Sequence, residues 1–304
     1  MITRDPVDFL AHARRCATDF GPATAKAAFL VAPDGFAHAA ESAADNRYMA
    51  APDGFDRAAA LEQHRRLQAA LAADVSVVCF PGAADTPDGV FPNNVFATAP
   101  GRLIVGRMRH PVRRREAARA DIRRFFVEAM GYAEIDLSAQ PHPCELTGAL
   151  VIDRARGLGF CGLSERCDEA GAALMHEAFG LRATLMFDLA EGEYHTNVVL
   201  AVLAGRAALV CPSGLAEPEP VGHALDGIYG AGVVRLSAAE QAAFAGNAIA
   251  LDGEGVWMSA RAAAALVPAS RQALAAAGFA VRTVALDAIE AAGGSLRCCV
   301  AEIF

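Results

Sequence analysis

Gly293-Gly294-Ser295-Leu296-Arg297-Cys298-Cys299-Val300-Ala301-Glu302-Ile303-Phe304 is the stretch on which the reading of this chain turns. A Gly-Gly pair frees the backbone, a thiol follows, and an apolar tail runs to the last residue. A terminal segment frays unless it is tied into a sheet, so Cys298 to Phe304 is expected to be a strand docked into the body of the protein. Cys298 would then sit at a rim, either as a reactive thiol or as an ordinary buried cysteine.

The partner for that strand is found at the other end of the chain. Lys26 to Pro33 (KAAFLVAP) is a short apolar strand after a helical lead-in. A helical stretch, Asp56 to Ala72, and a second strand, Val75 to Phe80, follow it. The next unit has strands at Val90–Thr98 and Leu103–Met108, a helix at Val112–Met130 and a strand at Ala133–Leu137. The same order recurs as Ala149–Asp153, Leu158–Leu163, Glu165–Phe179 and Ala183–Leu189, then as Asn197–Leu203, Ala207–Pro212, a looser helix after Glu217 and Gly232–Leu236. A last copy runs through Ala248–Leu251, Gly255–Ser259, Arg261–Ala277 and Phe279–Leu286. A hairpin, helix and strand repeated about every 50 to 60 residues marks a repeat architecture. The first unit has only half a hairpin, and Cys298 to Phe304 supplies the other half. Pairing the two ends closes a ring of five units and removes the open sheet edges. The expectation is a single domain over residues 1–304; two conventional α/β sandwiches would leave both the half-hairpin and the apolar tail unexplained.

Composition narrows the class. Of 304 residues, 54% are hydrophobic and 20% charged, enough for a large core. The net charge of −8 argues against nucleic acid as a partner. The one basic run, Arg107 to Arg124, reads as a solvated helix face. Gly205-Arg206 interrupts the longest apolar run, Val198 to Cys211, so no membrane span is expected. The opening Met1 to Asp8 lacks the apolar core of a secretory signal, and the eight cysteines lack paired spacing, which together point to the cytoplasm. Cys144, Cys161 and Cys167 lack metal-ligand pairing, and vicinal Cys298-Cys299 chelates poorly, so no metal and no organic cofactor is expected.

A closed ring has a central well lined by its strand ends. Polar residues stand at matching places there: Asp88 to Asn94 in the second unit, Glu145 to Gly148 and Ser164 to Arg166 in the third, Glu193 to Asn197 in the fourth, and Cys298 in the closing strand. A thiol, an imidazole and a carboxylate from three units suggest a nucleophile, a general acid/base and an orienting group. Because a free thiol is mostly protonated at neutral pH, a cationic neighbour or substrate is needed to activate it.

These elements, Gly-Gly-Ser-Leu-Arg-Cys, His195-Thr196-Asn197, Glu145-Leu146-Thr147-Gly148 and Asp88 to Asn94, together resemble the guanidine-modifying, or pentein, superfamily. Within it the chain is most similar to amidinotransferase-like hydrolases associated with citrulline utilisation. The resemblance implies a five-bladed α/β propeller with Cys298 as nucleophile, His195 as proton carrier and Glu145 holding His195. Leu146 stands where relatives have Gly, which bears on the local turn. Cys299 is the competing thiol; neighbouring side chains on a strand face opposite ways, and family position favours Cys298.

The reaction implied is thiolate attack on the central carbon of a ureido or guanidino amino acid, followed by hydrolysis of the adduct. Relatives that bind a guanidinium carry a carboxylate where this chain has Asn94. An amide suits a neutral ureido group, so citrulline or an N-acylated relative is the favoured substrate, with Asp88, Asn93 and Asn94 as binding residues. Arginine or dimethylarginine hydrolysis is the alternative, because Asp88 can still supply charge. An amidinotransferase would share the adduct, and a non-catalytic ring, as in a ribosome-binding translation factor of the same fold, is disfavoured by the Cys298, His195 and Glu145 set. Arg166 is a candidate for the substrate carboxylate through its bidentate fork. Homo-oligomerisation is left open by the sequence.

Overall fold

A computed structural model describes all residues, 1–304. The strands form five small sheets. In chain order they are β1 (Ile2–Thr3), β2 (Ala27–Val31), β3 (Ser76–Phe80), β4 (Phe96–Ala99), β5 (Arg102–Val105), β6 (Ala133–Asp136), β7 (Leu150–Asp153), β8 (Leu158–Leu163) and β9 (Ala183–Asp188). They continue as β10 (Leu200–Leu203), β11 (Ala207–Val210), β12 (Val233–Arg235), β13 (Gly255–Ser259), β14 (Ala280–Val284) and β15 (Ala301–Ile303). Three sheets repeat one pattern: an antiparallel hairpin, then a parallel strand reached through a helix, as in β4-β5-β6, β7-β8-β9 and β10-β11-β12. β15 pairs antiparallel with β2, with Ala301 opposite Phe29 and Ile303 opposite Ala27, while β2 pairs parallel with β3. The two ends of the chain therefore complete the first unit and close the five-bladed α/β propeller.

Packing holds the closure. Phe29 is fully buried, with the rings of Phe80, Phe96 and Phe126 edge-on to it at centroid distances of 5.7, 6.4 and 5.3 Å. Ala301 and Ile303 are buried in the same cluster.

Several elements differ from the sequence reading. The closing strand is shorter than Cys298–Phe304, because Leu296–Cys299 winds into one helical turn before β15. The same turn precedes the strand in other units, as Pro92–Asn94, Leu146–Ala149 and Thr196–Val199. The fifth unit keeps only an isolated bridge between Ile249 and Trp257 in place of a hairpin. The helix expected over Val112–Met130 is broken into Pro111–Ala117, Ala120–Arg124 and a wider turn at Phe125–Ala129. Pro268 splits the Ala-rich helix into Ala260–Ala265 and Pro268–Ala276, since proline lacks the N–H a helix interior needs. The lead-in helix, Pro6–Ala13, is capped by Asp5, and β1 before it adds a parallel strand to β9.

The basic run is not a merely solvated face. Arg113 is buried and donates to Glu116 at 2.8 and 2.9 Å and to the Phe91 carbonyl at 3.0 Å. Arg119 pairs with Asp121, and Arg123 with Glu134 and Asp136. No helix is long and apolar enough to cross a membrane.

Candidate active site

The short turns aim polar side chains at the axis. Side chains at equivalent turns, 54 residues apart for the first link and 50 for the next two, join one unit to the next: Thr147 donates to the Asn93 carbonyl at 3.0 Å, Asn197 to the Thr147 carbonyl at 3.2 Å, and Asn247 to the Asn197 carbonyl at 2.9 Å. The backbone N–H of Arg297, the next position in the series, donates to Asn247 Oδ1 at 3.0 Å. A buried polar series of this kind satisfies the turn carbonyls that water cannot reach.

Glu145 and His195 also lie 50 residues apart and meet on this framework. His195 Nε2 is 2.8 Å from Glu145 Oε2, and both side chains are fully buried. The other carboxylate oxygen accepts the Arg109 backbone N–H at 3.0 Å. Burial by itself would raise the Glu145 carboxyl, but Arg166 and His195 draw it well below the usual carboxylate range. Burial lowers the His195 imidazolium, against the pull of Glu145. With Nε2 engaged, Nδ1 is the free ring nitrogen; it is buried and unpartnered. Gly148 makes room for that edge: a Cβ there would lie 2.7 Å from Asn94 Oδ1 and 2.9 Å from His195 Cε1 and Nδ1. Leu146, where relatives have Gly, adopts φ 30°, so the tight turn is kept at the cost of local strain.

Cys298 sits in the Leu296–Cys299 turn, where successive side chains are about 100° apart rather than on opposite faces. Its Sγ accepts from Asn247 Nδ2 at 3.3 Å and lies 3.9 Å from Asn197 Oδ1. Burial raises the Cys298 thiol; the Ser295 backbone and the Asn247 amide offset part of that rise. Cys299 is equally buried, and burial pushes its thiol well above the usual range, further raised by Cys298 and Glu290.

Cys298 opens onto a small cavity together with Asp88, Asn94, Arg113, Arg166 and Tyr194. Asp88 is buried; Ser42 Oγ donates to its Oδ2 at 2.5 Å while Oδ1 has no partner. Asn93 does not line the cavity. Its side chain turns sideways, accepting from Thr147 Oγ1 at 2.5 Å and donating to Asn94 Oδ1 at 3.3 Å, as a link between the turns. Arg166 reaches the cavity, but not with a free fork. Its Nη2 donates to Asp45 Oδ1 at 2.6 Å and to the Ser42 carbonyl at 3.0 Å, and its plane lies over the Tyr194 ring at 5.0 Å. A guanidinium buried this deeply requires compensating carboxylates, and Asp45 and Glu145 provide them.

Ser42, Asn46 and Met49, which line the cavity, and Asp45, which holds Arg166, come from one segment. Asn46 Nδ2 donates to the Gly293 carbonyl at 3.3 Å, and Asp45 also holds His110 at 3.0 Å. The sequence reading missed this segment, which has no counterpart in the other units. It also missed Asn247, which the 50-residue period from Thr147 through Asn197 could have indicated. No cluster of three or more His, Cys, Asp or Glu side chains is arranged to hold a metal ion.

A family model described as N,N dimethylarginine dimethylhydrolase, eukaryotic, matches residues 32–304. The chain belongs to this family. It is thereby a hydrolase of carbon–nitrogen bonds other than peptide bonds, within the guanidine-modifying superfamily. Among solved structures, the substrate-bound N-terminal domain of a Cys-to-Ser mutant of ArgZ, a cyanobacterial arginine dihydrolase, aligns with a TM-score of 0.79 at 21% identity, covering 91% of this chain and 97% of that one. AgrE, in a ternary complex with ornithine and NAD+, aligns with a TM-score of 0.79 at 21% identity over 91% of this chain and 39% of its own. A dimethylarginine dimethylaminohydrolase variant, as its adduct with S-methyl-L-thiocitrulline, gives 0.67 at 21% identity over 91% and 99% of the two chains. No match is found among curated proteins. At these identities the structural likeness carries the fold, and the family model carries membership.

Proposed function

We propose that the chain hydrolyses the guanidino group of arginine or an N-methylated arginine through a covalent adduct on Cys298. The observation that carries this reading is Asp88. It is a carboxylate in the wall of the Cys298 cavity, buried, with one oxygen unpartnered. A buried acceptor of that charge is matched by the N–H donors of a guanidinium, and the bound cation would in turn favour the Cys298 thiolate.

In the proposed mechanism the Cys298 thiol gives its proton to His195 Nδ1 as the sulfur attacks the central guanidino carbon. His195, held through Nε2 by Glu145, delivers a proton from Nδ1 to the departing nitrogen, which leaves as ammonia or a methylated amine. The S-linked amidino adduct remains. Nδ1 then accepts a proton from water as the water attacks that carbon, and collapse breaks the carbon–sulfur bond to give a ureido product and the free thiol.

Asn94 supports a second reading. It lines the same cavity, and its amide can donate to a ureido oxygen. Citrulline, favoured on the sequence, would then be hydrolysed as substrate or as the product of a first turnover, giving ornithine, ammonia and carbon dioxide. Transfer of the amidino group to an amine instead of water is the remaining alternative.

The test is turnover of arginine, dimethylarginine and citrulline by the pure chain, with ammonia, dimethylamine, citrulline and ornithine quantified, repeated with Asp88→Asn. Consumption of the guanidines, with a KM raised at least about tenfold by Asp88→Asn and little change for citrulline, is expected. Turnover of citrulline alone would replace the guanidine reading with the ureido one.

A further inference from the structure

Arg154 follows β7, in a blade edge whose cleft shares no residue with the Cys298 cavity. Its side chain is buried, at 8% relative exposure, yet makes no ion pair. Its guanidinium carbon lies 4.2 Å from the ring centroid of Phe304 and 5.1 Å from that of Phe179, so its faces are covered by rings. Along its edge, Nη1 donates to the Thr98 carbonyl at 3.1 Å, and no other protein acceptor is engaged. Glu302, the carboxylate that acts on it from a distance, is itself held by Arg297 at 2.9 Å. Burial pulls the Arg154 guanidinium down to about 10, the direction expected for a cation without a compensating anion.

The same cleft, about 210 Å³, is lined by Phe20, Phe179, Phe304 and a second arginine, Arg102, and by no Asp or Glu. Arg102 also lacks an ion pair; Nη1 donates to the Ala178 carbonyl at 3.2 Å. Two guanidiniums without counter-ions beside three phenyl rings provide charge for a carboxylate and flat apolar walls for the body attached to it.

We propose that this cleft is a second ligand site, which takes a small organic carboxylate with an aromatic or other flat apolar body, its carboxylate against Arg154 and Arg102 and its body among the phenyl rings. The site is separate from the one that holds the guanidino substrate, and its occupancy does not depend on the reading of that substrate.

The test uses the full chain and fluorine-detected NMR titration with 4-fluorophenylacetate, alongside the neutral 4-fluorophenylacetamide. Saturable binding of the acid is expected, with the amide at least tenfold weaker and with Arg154→Met and Arg102→Met each weakening the acid at least tenfold. Absence of saturable binding, equal binding of the amide, or unchanged binding in both variants would overturn the proposal. The last result also covers the acid binding in the Cys298 cavity instead. Should Arg154→Met not fold, Arg102→Met decides, because Arg102 lies only partly buried at the cleft edge.

Discussion

Asn247 donates its side-chain amide to Cys298 Sγ at 3.3 Å and at the same time accepts the Arg297 backbone N–H at 3.0 Å. One residue thus stabilises charge on the sulfur and fixes the turn that carries it. A hydrogen bond to a charged group contributes about 1.5–3 kcal/mol. Asn247→Ala is expected to lower kcat/KM roughly 10- to 150-fold, and to raise the pH at which Cys298 is alkylated; unchanged alkylation would remove Asn247 from the thiol's environment.

Gly148→Ala tests the room made for His195. The added Cβ would meet Asn94 Oδ1 and the His195 ring inside 3.0 Å, in a region with no slack. A displaced imidazole should cost about 100-fold in kcat while thermal unfolding stays cooperative, as steady-state kinetics and calorimetry would show.

Glu145→Gln keeps a hydrogen-bonding shape but removes the charge that opposes the lowering of His195. The imidazole should then titrate at still lower pH. The expected result is a loss of at least about 100-fold in kcat together with an acidward shift of the His195 resonance followed by NMR. A loss without that shift would assign Glu145 a packing role.

The rate of iodoacetamide modification at Cys298, followed by mass spectrometry, should rise with pH through a midpoint above that of an ordinary thiol. The sign follows from burial: the buried thiol holds its proton to higher pH than an exposed one, so less thiolate is present at neutrality. A guanidino ligand should move the midpoint down and an uncharged analogue should not.

Removing Val300 to Phe304 leaves Cys298 in the chain but strips β15 from β2. Val300, Ile303 and Phe304 are buried, each contributing about 1.5–3 kcal/mol, a large share of a total near 5–15 kcal/mol. The truncated chain is expected to lose its cooperative thermal transition, whereas Cys298→Ser should keep it and lose activity alone.

What the sequence by itself determined is the repeat. Apolar runs punctuated by Gly and Asp turns set four hairpin-helix-strand units and a fifth with half a hairpin, and that missing half at one end identified its partner at the other. Period and register survive in sequence because a strand must keep its apolar side chains on the buried face, here in cores shared between neighbouring units. That Glu145, His195 and Cys298 stand at equivalent turns of the repeat was legible for the same reason. Tertiary structure alone decided the rest. Whether Arg166 has a free fork depends on Asp45, 121 residues away, and whether Asn93 faces substrate depends on Thr147 in the next unit. Even the closing stretch from Gly293 to Phe304 divides into a helical turn and a strand, because the thiol must stay within reach of Asn247 while Ala301 to Ile303 pair with β2. Such choices are made by long-range contacts that satisfy buried charge and backbone, and local sequence carries no record of them.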